Sequence, residues 1–134
     1  MGHHVLNPPS LPAPRGFTHV VVAEPGRTVY LAGQGGHLAD GSIAGDNLVR
    51  QFDVAAGNVV KALAAAGGRP EHVVSMQILT TDADEYRASS ASIGTAYRRH
   101  FGRHYPAITF VEVKGLYDPA AKVELACVAV IPEN

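Results

Sequence analysis

The chain has 134 residues, 46% of them hydrophobic and 17% charged, and its 11 Lys and Arg against 12 Asp and Glu give a formal net charge of −1. This length suits one domain that buries enough surface to fold without a metal or disulfide, and the balanced charge gives no electrostatic pull towards nucleic acid or anionic membrane. The single Cys127 excludes an intrachain disulfide, and no apolar run approaches the roughly 18 residues of a membrane-spanning helix.

Residues 1–15 carry Pro8, Pro9, Pro12 and Pro14 and read as a proline-rich arm ahead of a single domain at 16–134. The opening MGHHVLNPP lacks an apolar signal core, so the cytoplasm is the expected location, and His3-His4 is expected to be a tag remnant or solvated arm rather than a metal site. FTHVVVAE at 17–24 and TVYLAGQ at 28–34 are β-rich runs joined by Pro25-Gly26-Arg27, which predicts a hairpin. A Gly- and Asp-rich loop at 35–46 ends at Asp46, the expected N-cap of a helix. Leu48, Phe52, Ala55, Ala56, Val59 and Leu63 then recur at the helical period up to the Gly67-Gly68 stop. HVVSMQILT at 72–80 predicts a strand. Asp82 with Glu85 is a capping-box-like start to a second helix, which runs to about His100 with Tyr86, Ile93, Tyr97 and Phe101 on one face. A strand at 108–113, a loop through Gly115 and Pro119, and a last strand KVELACVAV at 122–130 complete the chain.

The order ββαβαββ predicts an α+β fold, a mixed and largely antiparallel sheet with two helices on one face. The runs at 28–34 and 122–130 are apolar at both alternation parities, Val29 and Leu31 against Tyr30 and Ala32, and Val123 and Leu125 against Ala126 and Val128. A sheet covered on one side only shows a polar second face. The second apolar face therefore predicts packing on copies of the same chain, a homo-oligomer.

Simple catalytic signatures are absent: no G-x-S-x-G, P-loop, C-x-x-C or H-E-x-x-H. The G-Q-G-G at 33–36 lacks the lysine and glycine spacing of a phosphate loop. The seven histidines are scattered, and the one i, i+4 pair, His100 and His104, straddles a helix end and Gly102, so no metal site is expected there. Cys127 reads as a buried thiol within an apolar strand. Glu124 is the pointed residue, a lone carboxylate in a run otherwise without charge from Val123 to Ile131. Such a group either faces water or is held by a partner, and in a pocket it is a candidate general acid or base.

GFTHVVVAEPGRTVYLAGQ, GDNLVRQFDVAAGNVVKALAAAGG, the strand after Pro106-Ala107, and VELACVAV follow one another over residues 16–132. In that order, with the Gly33-Gln34 pair and the spacing of Gln51 and Asn58, they resemble the Rid/YjgF family of reactive-intermediate deaminases, also described as L-PSP endoribonucleases. The resemblance implies a chorismate-mutase-like fold assembled as a homotrimer with small-metabolite clefts between subunits. It also implies hydrolysis of 2-aminoacrylate and related enamines or imines to 2-keto acids and ammonia, without metal or organic cofactor. By position, it implies Glu124 as the catalytic glutamate that positions or activates water, and Gly33, Thr109 and Phe110 as substrate-binding residues. Phe17 stands where a tyrosine is usual, Gly94 where an asparagine is common, and Ile108 where an arginine holds the substrate carboxylate.

Isoleucine has neither the charge nor the donors of that arginine. Three readings follow for the function. The first is a trimeric Rid-family protein of an arginine-lacking subgroup that binds a small, less acidic or differently oriented metabolite in intersubunit clefts, with hydrolysis of an enamine, imine or related metabolite assisted by Glu124 left open. The second is a true deaminase in which Arg103, His104 or Lys114 supplies the cation. The third is a noncatalytic metabolite-binding or scaffold protein. No nucleic-acid or membrane partner is expected, and RNA cleavage is least favoured, because the sequence shows no basic tract and no general-base histidine pair.

Overall fold

In the computed structural model, which describes residues 2–133, the first helical repeat becomes α1 (Leu48–Ala65). Its cap is Asn47 rather than Asp46: the Asn47 backbone is extended, and its side chain accepts the Arg50 N–H at 2.9 Å, the third-residue geometry that Asp46 is one position too early to make. Leu48, Phe52, Ala55, Ala56, Val59 and Leu63 are fully buried along one stripe, as their period requires.

That stripe covers a five-stranded mixed sheet. Besides β1 (His4–Leu6) and β2 (Val20–Val22), which lie outside it, the strands are β3 (Gly26–Tyr30), β4 (Gln34–Gly35), β5 (Val73–Thr80), β6 (Ala107–Glu112) and β7 (Val123–Pro132). The order is β3-β7-β5-β6, with β4 also on β7. The pairs are antiparallel except β5 with β6. Strand β7 is central, and its Val123, Leu125, Cys127 and Ala129 alternate into the core under α1, beside Met76 and Ile78 of β5. Burial pushes the Cys127 thiol up to about 12, which fits an inert core group.

The predicted second helix is two. Asp82 caps α2 (Ala83–Ala88) by accepting Glu85 N–H at 2.9 Å, and α3 (Ser90–Phe101) follows after Ser89 leaves helical geometry at φ −101°, ψ 14°. Serine competes with the helix for backbone hydrogen bonds, so the Ser89-Ser90 pair is the weak point of the run. The break lets α2 place Tyr86 against Phe110 of β6, with ring centroids 4.6 Å apart, while α3 packs on α1.

The expected hairpin is not formed. Strand β2 pairs antiparallel with β1 from the proline-rich arm, in the register His4 with Val22 and Leu6 with Val20, while β3 pairs with β7. Gly26 explains the error. It has no positive φ and makes no tight turn; instead, a Cβ there would run into the Ile131 backbone, so its missing side chain is what lets β3 lie against β7. Nor is the arm a loose appendage. The ring of His3 holds Val130 O at 2.8 Å and Glu24 N–H at 2.9 Å, and His4 reaches the Glu24 carboxylate at 2.9 Å, so the two histidines fasten the arm to the domain. Thr18 bridges Ala107 in parallel, and the β1–β2 ribbon thus runs from the β6 edge to the end of β7. No helix among the described residues is long and apolar enough to cross a membrane.

Candidate functional site

Strand alternation divides the predicted site residues between the two sides of the sheet. On β7, Glu124 has the parity opposite to the core residues, and it lies half-buried on the open face across from Leu79 of β5 and Gly35 of β4. The chain between β3 and β4 brings Gly33 onto the same carboxylate: a Cβ at Gly33 would fall on the Glu124 side chain. Glu124 and Gly33, 91 positions apart in sequence, are therefore in contact, and the glycine is needed for that approach. Thr109 is exposed on the open face too, opposite Gln77, which in turn faces Ala126.

Ile108 and Phe110 alternate the other way. They pair with Met76 and Ile78 and pack against the core from the helix side. Within one chain, Ile108 and Glu124 do not share a cleft. Ile108 instead lines a cleft of about 400 Å³ under α3, walled by Ile78, Tyr86, Ile93, Tyr97 and Tyr105, with Gly94, Arg98, Arg15 and Gly16 at its rim. The Tyr97 and Tyr105 rings stack at 5.3 Å, and the Tyr97 hydroxyl donates to His104 O at 2.6 Å. Burial raises the hydroxyl of Tyr86 to about 12, keeping it a neutral donor. Phe17 sits beside the cleft's edge rather than in its lining. It packs edge-to-face on His19 at 5.1 Å, next to the Thr18 N–H that donates to Pro106 O at 3.1 Å.

Arg103, His104 and Lys114 do not line this cleft, and His104 is occupied with Val73 O at 2.7 Å. The cations that do reach it, Arg15 and Arg98, were not singled out by sequence. Arg98 lies in the basic run Arg98-Arg99-His100, which resembles any solvated helix end. The one signal available was Gly94 four residues earlier, on the same helical face. An added Cβ at Gly94 would stand 3.2 Å from an Arg98 Nη, so the guanidinium occupies the room that glycine leaves.

A second cleft, of about 530 Å³, also escaped the sequence reading. It brings His37 and His100 together with Lys61 and Asn58. His37 pairs with Asp118 at 2.8 Å and His100 with Asp53 at 2.7 Å, partners 81 and 47 residues away. His100 and His104, the i, i+4 pair, point to different partners. Gln51 and Asn58, whose spacing contributed to the family resemblance, have structural duties. Gln51 donates to Gly45 O and Ala120 O and accepts from Lys122 N–H, and Asn58 donates to Gly35 O and His37 O. They pin the loops on either side of Glu124 to α1.

The sequence pattern of the family described as Endoribonuclease L-PSP matches residues 9–131. No curated protein matches the chain. Among solved structures, YyfB of Yersinia pestis, a protein of unknown function of the conserved Rid family, superposes with a TM-score of 0.88 at 28% identity, over 98% of this chain and 100% of that one. Rv2704 of Mycobacterium tuberculosis, from the YjgF/YER057c/UK114 family, gives 0.64 at 28% identity over 87% of each chain. TdcF of E. coli, solved with bound serine, gives 0.66 at 27% identity over 78% of this chain and 80% of that one.

Proposed function

The chain belongs to the Rid/YjgF family of L-PSP endoribonuclease-like proteins, and from that premise we propose that it is a homotrimeric small-metabolite hydrolase acting on an enamine or imine, with Glu124 as its acid–base residue. The observation that carries the reading is the contact of Glu124 with Gly33 on the open sheet face, the two positions whose family roles are water activation and substrate approach. In the reaction, an enamine first gains a proton at its terminal carbon and loses one from nitrogen to become the imine; water then adds to the imine carbon while Glu124 takes its proton and passes it to nitrogen, and as the hydroxyl proton moves to nitrogen by the same route the C–N bond breaks, leaving the carbonyl and ammonia. No metal or organic cofactor is required. The serine bound to TdcF supports a ligand of amino-acid size and chemistry.

Ammonia release from freshly generated 2-aminoacrylate, measured above the spontaneous rate, tests this proposal. Wild type is expected to accelerate it, and Glu124→Gln to lose about 100-fold or more of that acceleration, as general acid–base catalysis implies. Equal rates for wild type and Glu124→Gln would remove Glu124 from catalysis. The second reading, a noncatalytic metabolite-binding protein, is favoured by Ile108, which is uncharged and packed against the core where the family's arginine is expected. It predicts ligand binding with no ammonia release from any imine.

A further inference from the structure

The second cleft, walled by α1, the end of α3 and the loop after β4, gathers two histidine–carboxylate pairs that the proposed reaction does not use. In each pair one ring nitrogen is committed, His37 Nε2 to Asp118 and His100 Nε2 to Asp53. A carboxylate accepts from the Nε2–H and so fixes the tautomer, which leaves Nδ1 as the free nitrogen of each ring. Neither Nδ1 has a partner among the described residues, and no buried side-chain nitrogen or oxygen there lacks one, so both atoms stay open to water. Each ring is also seated on a glycine. A Cβ at Gly57, in the interior of α1 where glycine weakens a helix, would stand 3.2 Å from His100 Cε1, and one at Gly35 would stand 3.0 Å from Cε1 and Nδ1 of His37. The glycines give both rings their places on the cleft wall.

Lys61, one turn on from Gly57 along the same face of α1, adds an exposed ammonium. Lys122 pairs with Glu85, but among the described residues Lys61 forms no ion pair. The one acid in the lining, Asp53, is already shared between His100 and Arg99. We infer that this cleft binds a phosphate monoester, with Lys61 Nζ and the Nδ1–H of the His37 and His100 imidazolium rings as its donors. Asp118, Asp53, Arg99 and Lys61 are the charged groups around the rings, two of each sign, and the arriving anion adds the negative charge that favours the protonated rings. The ligand therefore arrives together with protons. Three separate donors suit the three terminal oxygens of a tetrahedral dianion, whereas a planar carboxylate is matched by a guanidinium fork, which this lining lacks. Among the described residues no three His, Cys, Asp or Glu side chains gather closely enough to hold a metal, so the two rings do not make a metal site. At about 530 Å³ the cleft lies within the range of about 300–1,000 Å³ usual for small-molecule sites, with room for the body of an ester beside its phosphate. It lies on the helix side of the sheet, apart from the contact of Glu124 with Gly33, and needs neither that contact nor turnover.

The test is calorimetric titration of the full chain with glycerol phosphate, inorganic phosphate, dimethyl phosphate and acetate. The monoester is expected to bind at least about 10-fold more tightly than the diester or acetate, each of which carries a single charge. At about pH 7.5 the monoester is already the dianion, so heats measured in two buffers of different ionisation enthalpy should show protons taken up by the protein, and affinity should fall as pH rises. His37→Gln and His100→Gln, which keep a donor for the carboxylate, should each lose about 10-fold in affinity and part of the proton uptake. Lys61→Gln, at an exposed position, should lose about 10-fold and keep the uptake. Lys114→Gln, the same change of charge outside the cleft, should lose nothing. Gly57→Ala raises helix propensity, so its fold is secure by circular dichroism and melting temperature, yet it should weaken binding by displacing the His100 ring. Equal affinity for monoester and diester, wild-type affinity in Lys61→Gln, binding without proton uptake, or no binding at millimolar ligand would overturn the assignment. Tighter binding of inorganic phosphate than of glycerol phosphate would overturn its ester class. Failure of the ammonia assay leaves these outcomes unchanged, so the two ideas fail separately.

Discussion

Ile108 illustrates how far a single residue can be read. Its sequence context marks it as the position of a missing cation, but only the register of β6 on β5 shows that its side chain faces the core and shares a cleft with Arg98 and Arg15. An arginine at 108 would enter a cleft that already holds Arg15 and Arg98 and has no carboxylate in its lining. Ile108→Arg is expected to lower folding stability by about 1 kcal/mol, the low end of the penalty for an unpaired polar group, because position 108 is only half-buried. Denaturant titration of the two proteins checks this, and an unchanged midpoint would mean that the 108 side chain escapes the cleft to solvent. The open-face position of Glu124 follows from its sequence, because a lone carboxylate in an apolar strand is conspicuous in any alternation pattern. The positions of Arg15 and Arg98 do not, because a basic helix end and a proline-rich arm look the same whether or not a cleft lies beside them.

Among the elements, those specified by local periodicity were readable, namely α1, β5, β6 and β7, whose apolar spacing needs no knowledge of partners. The misread elements are those decided by distant competition. The turn residues Pro25-Gly26 suggest a hairpin, but β3 gains more by lying along the ten-residue β7, and the valines of β2 are taken by the arm. The clasp between α1 and α3 is likewise long-range. Asp53 receives hydrogen bonds from His100 and Arg99. Burial works against the Asp53 charge, but these bonds outweigh it and hold the carboxyl below the ordinary 3.8. As pH falls, the unfolded chain takes up its proton first, so the clasp stabilises fully above that ordinary value and is lost as pH drops through the folded one. Asp53→Asn is expected to cost about 1–2 kcal/mol at neutral pH and to flatten the decline of stability below pH 3.8. Denaturant midpoints across pH check both, and an acid limb unchanged by the substitution would assign it to other carboxylates.

At the scale of the molecule, one side of the sheet is packed under helices and the other is bare. Tyr30 is 81% exposed and Val111 40%, and on the same open face lie Leu79, Ala126 and Val128. A trimer burying this face is expected in solution, and Tyr30→Glu, which places a charge on it, should shift the light-scattering mass from three chains towards one. A wild-type mass of one chain at micromolar concentration would refute the assembly. The β1–β2 ribbon has a different significance when the chain is considered during its synthesis. Val20-Val21-Val22 is an uncharged, strongly β-prone stretch of the kind that nucleates fibrils when its edge is left open. Native sheets usually guard such an edge with lysine, proline or a bulge. Here His4–Leu6 covers one edge of the valine strand, while the other stays an edge of the two-stranded ribbon. Because that cover precedes the valines in sequence it leaves the ribosome before them, so the order of translation, as well as the composition of the strand, bears on which partner the valines meet first.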